Sequence, residues 1–401
     1  MSIVTKEFLR DRLNILLSES LESVRNREQT TFEKILKKSR EVVIFGAGNL
    51  GKKALRALQS QGYEVKGFLD NNTSLHGKDV EGVLVSSIAE GWRLHGDSAG
   101  VVVAIYSGEV KDTMSERIAP LHEAGFSRIA HFGHLAWKHP AGLLPLYSLD
   151  LPSNLIHKKA RILDGFSLFH DLTSLRHFVD HVEWRLTLDF HLLPRPVPQT
   201  IYFNEELLKE NPDEFLIDGG AFTGDTLKSF LESFGRNGFY KALSFEPDPR
   251  NFRVLQETAA SLKYKNNQIE VYPYALGDAV AKIQVESSGE SSSRVGFGET
   301  TISCRMIDEF AGLGLPPTFI KLDIEGYELP ALRGACRTIS EQKPVLALSA
   351  YHKQDDLWEL PLEIFEMQPE YDFRLVPHVS DGWDLVLYAL PKERQLKLKF
   401  A

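Results

Sequence analysis

The sequence predicts an α/β protein of two doubly wound domains in tandem, the second built on a seven-stranded sheet whose last strand runs antiparallel. Three observations predict this. The chain has 401 residues, more than one ordinary core fills. Short β-branched runs alternate with helical stretches over Arg40–Leu135, and the same rhythm restarts at Glu214. Two late strands, Tyr371–Val376 and Trp383–Ala389, are joined only by Ser380-Asp381-Gly382, a link too short for a parallel crossover. The expected division is residues 1–38 as amphipathic helices, 39–135 as a first α/β domain, 136–212 as a helical connector and 213–392 as a second α/β domain.

Composition narrows the class. Hydrophobic residues make up 43% and charged residues 25%, as in a water-exposed globular chain. No stretch reaches the roughly 18 to 20 apolar residues of a membrane helix, so no span is expected. The N-terminus mixes charge into its apolar positions and does not read as a secretory signal. Cys304 and Cys336 are the only cysteines. That excludes a disulfide scaffold and a cysteine-rich zinc site, and it points to a reducing, cytoplasmic setting. A net charge of -9 argues against a nucleic-acid partner, whose backbone is held by Lys and Arg displacing counterions.

In chain order, Phe8, Leu9, Leu13, Leu16, Leu17, Leu21 and Val24 fall at helical spacing. Their stripe packs on its own chain or, as the sharper reading, forms a homodimer contact. The first domain shows strand runs at Val42–Phe45, Val65–Leu69 and Val101–Ile105. The connector is marked by prolines, including Pro140, Pro145, Pro152, Pro194 and Pro196, around a helix-like Leu172–Leu192. His177 and His181 would share a helix face beside Asp180, but a catalytic zinc normally takes a third protein ligand and none is marked. They read as surface or core histidines. The second domain shows Phe215–Ile217, Ala242–Phe245, Ile269–Tyr272, Phe319–Leu322 and Val345–Leu348 before the late pair. Glu286–Gly298 is rich in Ser and Gly and is expected to be a loop.

The chemistry concentrates at strand ends of the second domain. The first run leads into Asp218-Gly219-Gly220-Ala221-Phe222-Thr223-Gly224-Asp225, a strand, a small-residue turn and a helix start, where a ligand approaches backbone. The second run ends in Glu246-Pro247, a carboxylate placed for both ribose hydroxyls of an adenosine. The third ends in Ala275-Leu276-Gly277-Asp278, at the level of the adenine ring. A pyrophosphate would be repelled by Asp218, whereas a sulfonium with an amino-acid tail tolerates it; this favours S-adenosylmethionine over NAD. The fourth run ends in Lys321-Leu322-Asp323-Ile324-Glu325-Gly326-Tyr327-Glu328. Alternation puts Lys321, Asp323 and Glu325 on one face. A buried central lysine needs a partner, and Asp218 on the neighbouring strand is the expected one. The fifth run ends in Ser349-Ala350-Tyr351-His352, so Asp323, Glu325 and His352 should converge.

With those segments in this order and spacing, about Ile201–Leu390 resembles FkbM-family methyltransferases, and Tyr202-Phe203 resembles a lead-in of bacterial members. Lys321-x-Asp323-x-Glu325-Gly326-x-Glu328 is the specific part. Ser349 departs from members that carry glutamate there. The resemblance implies a Rossmann-like seven-stranded methyltransferase sheet and transfer of a methyl group, usually to oxygen, on a sugar, glycan precursor or secondary metabolite, as in polysaccharide biosynthesis. The expected catalytic residues are His352, Asp323, Glu325 and Lys321, with His352 or Asp323 taking the acceptor's proton. In an alternative, Asp323 and Glu325 hold Mg²⁺ through their oxygens.

The first domain opens with Val42–Phe45 followed by Gly46-Ala47-Gly48-Asn49-Leu50-Gly51, a G-x-G-x-x-G turn, and Asp70 ends the next strand. These residues form the expected second nucleotide site. With Asp70-Asn71-Asn72 and Gly77–Val83, the domain resembles the N-terminal domain of bacterial sugar acyltransferases. That resemblance implies a nucleotide-sugar; NAD(P) and a purely structural domain stay open. The expectation is therefore a methyltransferase acting on a small-molecule or glycan acceptor. Its rivals are an NAD-dependent sugar-nucleotide oxidoreductase or epimerase and a non-catalytic S-adenosylmethionine-binding protein.

Overall fold

The computed structural model describes residues 4–106, 113–197, 200–209, 211–235, 238–264, 268–285, 300–312 and 314–396. The Ser/Gly-rich stretch 286–298 expected to be a loop lies outside them. The chain divides into two compact units. The first takes in Met1–Ile162, Val179–Pro196 and Val379–Trp383; the second takes in Leu163–Phe178, Val197–His378 and Asp384–Ala401. Residues 136–212, expected as one connector, thus contribute to both units. Both units are α/β, as expected.

The first unit carries a six-stranded sheet: β1 (Glu41–Phe45), β2 (Glu64–Leu69), β3 (Asp79–Val80), β4 (Val83–Ser86), β5 (Gly100–Val103) and β6 (Ile129–His131). Its order is β3-β4-β2-β1-β5-β6, and every pair is parallel except β3 with β4. Val42–Phe45 and Val101–Val103 are buried on both faces, which is why these runs read as unbroken apolar strings. The N-terminal helices Lys6–Leu16 and Leu21–Ile35 start at Thr5 and Ser20, whose hydroxyls cap Phe8 N and Ser23 N. Leu9, Leu13, Leu17, Val24 and Phe32 bury their stripe within the chain's own unit, while Phe8 and Ile15 face outward.

The second unit carries β7 (Phe215–Gly219), β8 (Lys241–Phe245), β9 (Ile269–Tyr272), β10 (Tyr274–Leu276), β11 (Ala281–Val285), β12 (Thr300–Arg305), β13 (Phe319–Leu322), β14 (Val345–Ser349), β15 (Asp372–Pro377) and β16 (Leu385–Leu390). The seven-stranded sheet has the order β15-β16-β14-β13-β7-β8-β9. β16 pairs antiparallel with both β14 and β15, which gives the expected antiparallel last strand. The expected neighbours also meet, since β7 pairs with β13 and Asp218 stands opposite Lys321. A small sheet in the order β10-β12-β11 was not foreseen from the sequence. Among the described residues, no helix is long and apolar enough to cross a membrane.

His177 and His181 are not arranged for a metal. The Nδ1 of His177 bonds the Leu375 carbonyl at 2.9 Å, and His181 is buried. Among the described residues no group of three or more His, Cys, Asp or Glu is set to hold a metal ion. Cys304 is buried and Cys336 exposed, and neither is in a disulfide.

Candidate active site at the carboxyl edge of the second sheet

The parallel strands β7, β8 and β13 end on one edge, and the turns leaving them are held together by backbone that only small residues allow. Gly220 has φ +76°, and a Cβ there would stand 1.9 Å from the Asp323 carbonyl oxygen. Its N–H and that of Ala221 donate to the Phe245 carbonyl, each at 3.0 Å. The turn is thereby stitched to β8 on one side and pressed against the end of β13 on the other. Leu276, at the end of β10, reaches the same turn, lying 2.9 Å from where a Gly219 side chain would begin. Gly277 is wedged against Cys304 and Tyr327. Gly224, at φ +90°, starts the helix Asp225–Ser233.

Glu246 is 6% exposed. Its Oε2 accepts the Phe222 N–H at 2.9 Å and its Oε1 the Asp248 N–H at 2.8 Å. Burial pushes its carboxyl up to about 7 against these two bonds. Each oxygen keeps a lone pair for a further donor. Pro247 is half-buried beside it, while Asp225 and Asp278 are exposed.

Asp218 stands opposite Lys321, the partner expected for that lysine. It is fully buried and forms an ion pair with Lys321 at 3.1 Å. Lys321 also donates to the carbonyls of Gly219 at 3.1 Å and Gly220 at 2.8 Å, and its ammonium lies 5.2 Å from the Tyr202 ring centre. Two carbonyls and a carboxylate thus surround the ammonium, which braces the glycine turn from beneath. Burial works against its charge, but Asp218 and Asp323 outweigh that and raise its pKa. Asp218 and Lys321, expected at the ligand and in the chemistry, are here held against each other beneath the turn.

Asp323, Glu325 and His352 converge as expected. The His352 Nε2 lies 3.3 Å from Asp323 and 3.9 Å from Glu325. Its Nδ1 bonds Glu328 at 2.7 Å, and Glu328 also accepts the Ile324 N–H at 2.9 Å. Burial opposes the imidazolium, yet Glu328, Asp323 and Glu325 prevail and raise its pKa to about 10. The three carboxylates around His352 thus favour its imidazolium form, and of the two groups expected to take the acceptor's proton this leaves Asp323 the better placed. The Asp323 side chain is 30% exposed, against 16% for Glu325 and 0% for Glu328, so Asp323 is the carboxylate most open to a reactant. Burial favours its neutral form, but Lys321 and His352 win and keep it ionised.

Sequence reasoning left three participants without a role. The Tyr202 hydroxyl donates to Asp323 at 2.9 Å and lies 3.2 Å from the Ser349 hydroxyl. Glu328 anchors His352. Asp384 faces Asp323, Tyr351 and His352; burial and Asp323 push it up to about 6. Tyr202-Phe203 and Glu328 were visible as motif residues, but their contacts span 121 and 24 positions and leave no local signal. Tyr202, Phe222, Glu325 and Asp384 all have positive φ, at 66°, 45°, 55° and 45°. Non-glycine residues rarely adopt this region, and such strain gathers at functional sites.

In the first unit, the glycine turn and Asp70, expected as a second site, lie together. Gly46 has φ +108°, and a Cβ on Gly51 would stand 1.9 Å from the Gly46 carbonyl oxygen. The Ala47 and Asn72 N–H groups each donate to Asp70 at 2.8 Å. A cleft of about 410 Å³ is lined by Gly46, Gly48, Lys53, Asp70, Tyr106 and Trp383, among others.

Comparison with known proteins agrees with this layout. Residues 218–375 match the Methyltransferase FkbM domain, and residues 41–118 match the PglD N-terminal domain. The chain is similar to a crystal structure of methyltransferase FkbM from Methylobacillus flagellatus KT, with a TM-score of 0.75 and 23% identity over 96% of this chain and 100% of that one. That likeness establishes the fold. Partial likenesses extend to Aeropyrum pernix fibrillarin with natively bound S-adenosyl-L-methionine (13% identity, TM-score 0.29, 45% of this chain and 67% of that one). They extend also to RSP in complex with beta-NADH (25% identity, TM-score 0.20, 25% of this chain and 49% of that one). No curated protein matches the chain.

Proposed function

Taking an FkbM methyltransferase domain behind a PglD N-terminal domain as the premise, we propose that this protein transfers a methyl group from S-adenosylmethionine to a hydroxyl of a sugar, glycan precursor or secondary metabolite. The observation that carries the reading is the convergence of a glycine turn, a two-toothed acid at Glu246 and the open carboxylate of Asp323 on one sheet edge. The residues fit the cofactor by their chemistry. The spare lone pairs of Glu246 suit two ribose hydroxyls, Ala275–Gly277 suits the adenine, and the acidic edge suits a sulfonium. The cofactor supplies an electrophilic methyl group when bound.

The chain's own residues then have separate tasks. Lys321, clamped to Asp218, holds the Gly219-Gly220 turn in place. Tyr202 fixes one oxygen of Asp323, leaving the carboxylate aimed and ionised. Asp323 accepts the proton of the acceptor hydroxyl as the new bond forms at oxygen. The imidazolium of His352, anchored by Glu328, holds Asp323 and Glu325 together despite their like charge. That cation does the neutralising that Mg²⁺ would do, so we propose metal-independent transfer, with turnover unchanged in EDTA. Three carboxylates, Asp323, Glu325 and Asp384, face the transfer point and favour a neutral polyol over a phosphate-bearing group there.

In the first domain the Gly46–Gly51 turn with Asp70 supports binding of a nucleotide, with a nucleotide-sugar preferred over NAD(P). The test of the central reading is calorimetric titration of S-adenosylhomocysteine into the full-length protein, followed by methyl transfer from labelled S-adenosylmethionine to a panel of sugars. Saturable binding with transfer is expected. Binding with no transfer to any acceptor would leave a sensing protein, and absence of binding would overturn the reading.

A further inference from the structure

The first-unit cleft has a wall that neither the glycine turn nor Asp70 explains. Trp383 stacks on Tyr106 with ring centres 4.8 Å apart and planes 20° apart, and it meets Tyr147 at 4.7 Å. Trp383 and Tyr106 both line the cleft, together with Lys53 and Asp70. Trp383 is half-buried, so part of the indole stays open.

The segment that brings it there, Val379–Trp383, is 183 or more positions after the rest of the first unit and yet belongs to it. It is fastened at successive residues. Asp381 is fully buried in an ion pair with Arg117. The Ser148 hydroxyl donates to the Gly382 carbonyl at 3.3 Å. Gly382 has φ +79°, and a Cβ there would stand 2.8 Å from the Trp184 ring. A buried ion pair and a left-handed glycine are expensive fastenings that add little net stability. They serve to fix one geometry, and the residue that geometry presents is Trp383.

We propose that Trp383 is the ring-contacting residue of the first-unit cleft, completing a site for a ligand that joins a flat ring to an anionic group. This rests on reading that cleft as a nucleotide site. The anionic part is met by the exposed ammonium of Lys53 and by the backbone of the Gly46–Gly51 turn, and the ring by the indole held rigid against Tyr106 and Tyr147. An immobile aromatic wall loses no rotamer freedom when the ligand arrives, so stacking contributes in full.

The experiment is titration of UDP-glucose, with NADH in parallel, into full-length wild type, Trp383→Phe and Trp383→Ala, read by calorimetry and by tryptophan fluorescence. The expected result is binding of at least one probe to wild type, loss of about tenfold or more in affinity for Trp383→Ala and recovery of most of it in Trp383→Phe. Thermal melting of both variants separates a lost contact from a lost fold. Wild-type binding that Trp383→Ala leaves unchanged overturns the role of Trp383 while the nucleotide reading stands. Failure of wild type to bind either probe removes the nucleotide reading and this inference with it.

Discussion

The glycine turns of the two units make an instructive pair, because their backbones are built alike and their side chains are not. In the first unit Gly46 N–H donates to the last residue of β2, Leu69, and in the second Gly220 N–H donates to the last residue of β8, Phe245. Each next residue after those strand ends is an acid that accepts one N–H from the glycine turn and one from two positions further on: Asp70 from Ala47 and Asn72, Glu246 from Phe222 and Asp248. Each glycine also lies against the carbonyl of the residue just past the adjacent strand, Ala104 or Asp323. The registers then equate Ile44 opposite Val102 with Asp218 opposite Lys321. At these two register positions the second unit places an ion pair where the first places two apolar side chains. The two turns share one backbone arrangement, and the buried pair of Asp218 with Lys321 sets the second apart from the first.

That comparison can be broken most sharply at Asp323, whose counterpart is Ala104. Asp323→Asn should lower kcat by about 10²- to 10⁴-fold while S-adenosylhomocysteine still binds, as measured by single-turnover kinetics beside calorimetry. Unchanged kcat would move the proton acceptor elsewhere, with Asp384 the next group to test.

The ion pair beneath the turn comes next. Lys321→Met leaves Asp218 buried without its counter-ion and should cost about 3 to 5 kcal/mol in denaturant unfolding. Copying the first unit with Lys321→Val and Asp218→Ile together should recover most of that stability while turnover stays low. If the double variant is as unstable as the single one, the pair stabilises the sheet as well as setting the turn.

A smaller effect is expected at the paired acids. Glu246→Ala removes acceptors for a charge-assisted contact of roughly 1.5 to 3 kcal/mol, so affinity for S-adenosylhomocysteine should fall about ten- to a hundredfold. Asp70→Ala should leave that affinity as it was. Equal losses from both would show that the two turns do not hold separate ligands.

The smallest effect is in pH dependence. His352 has its folded pKa raised to about 10 from an ordinary 6.5, so its stabilising contribution is complete below about 6.5 and is lost as pH rises through 10. Melting temperature should decline across that window in wild type and decline less in His352→Gln.

Much of the fold was legible because it rests on local pattern. The β-branched runs, the glycines that alone allow a left-handed turn beside a neighbouring carbonyl, and the acid at the second strand end are all short-range features. The partnership of Asp218 with Lys321 was legible too, since strand order and alternation place them opposite. The roles within the site were less so. His352 reads as a base from residue type, and the approach of Glu328, Asp323 and Glu325, which favours its imidazolium form, shows only in the fold. Asp384 and Trp383 are adjacent in the chain but fall in different units, and nothing near them in sequence announces either role. The sequence by itself determined which residues could bind, turn and carry charge. Tertiary structure alone decided which charges meet, and a group's proton and its task follow from the charges around it.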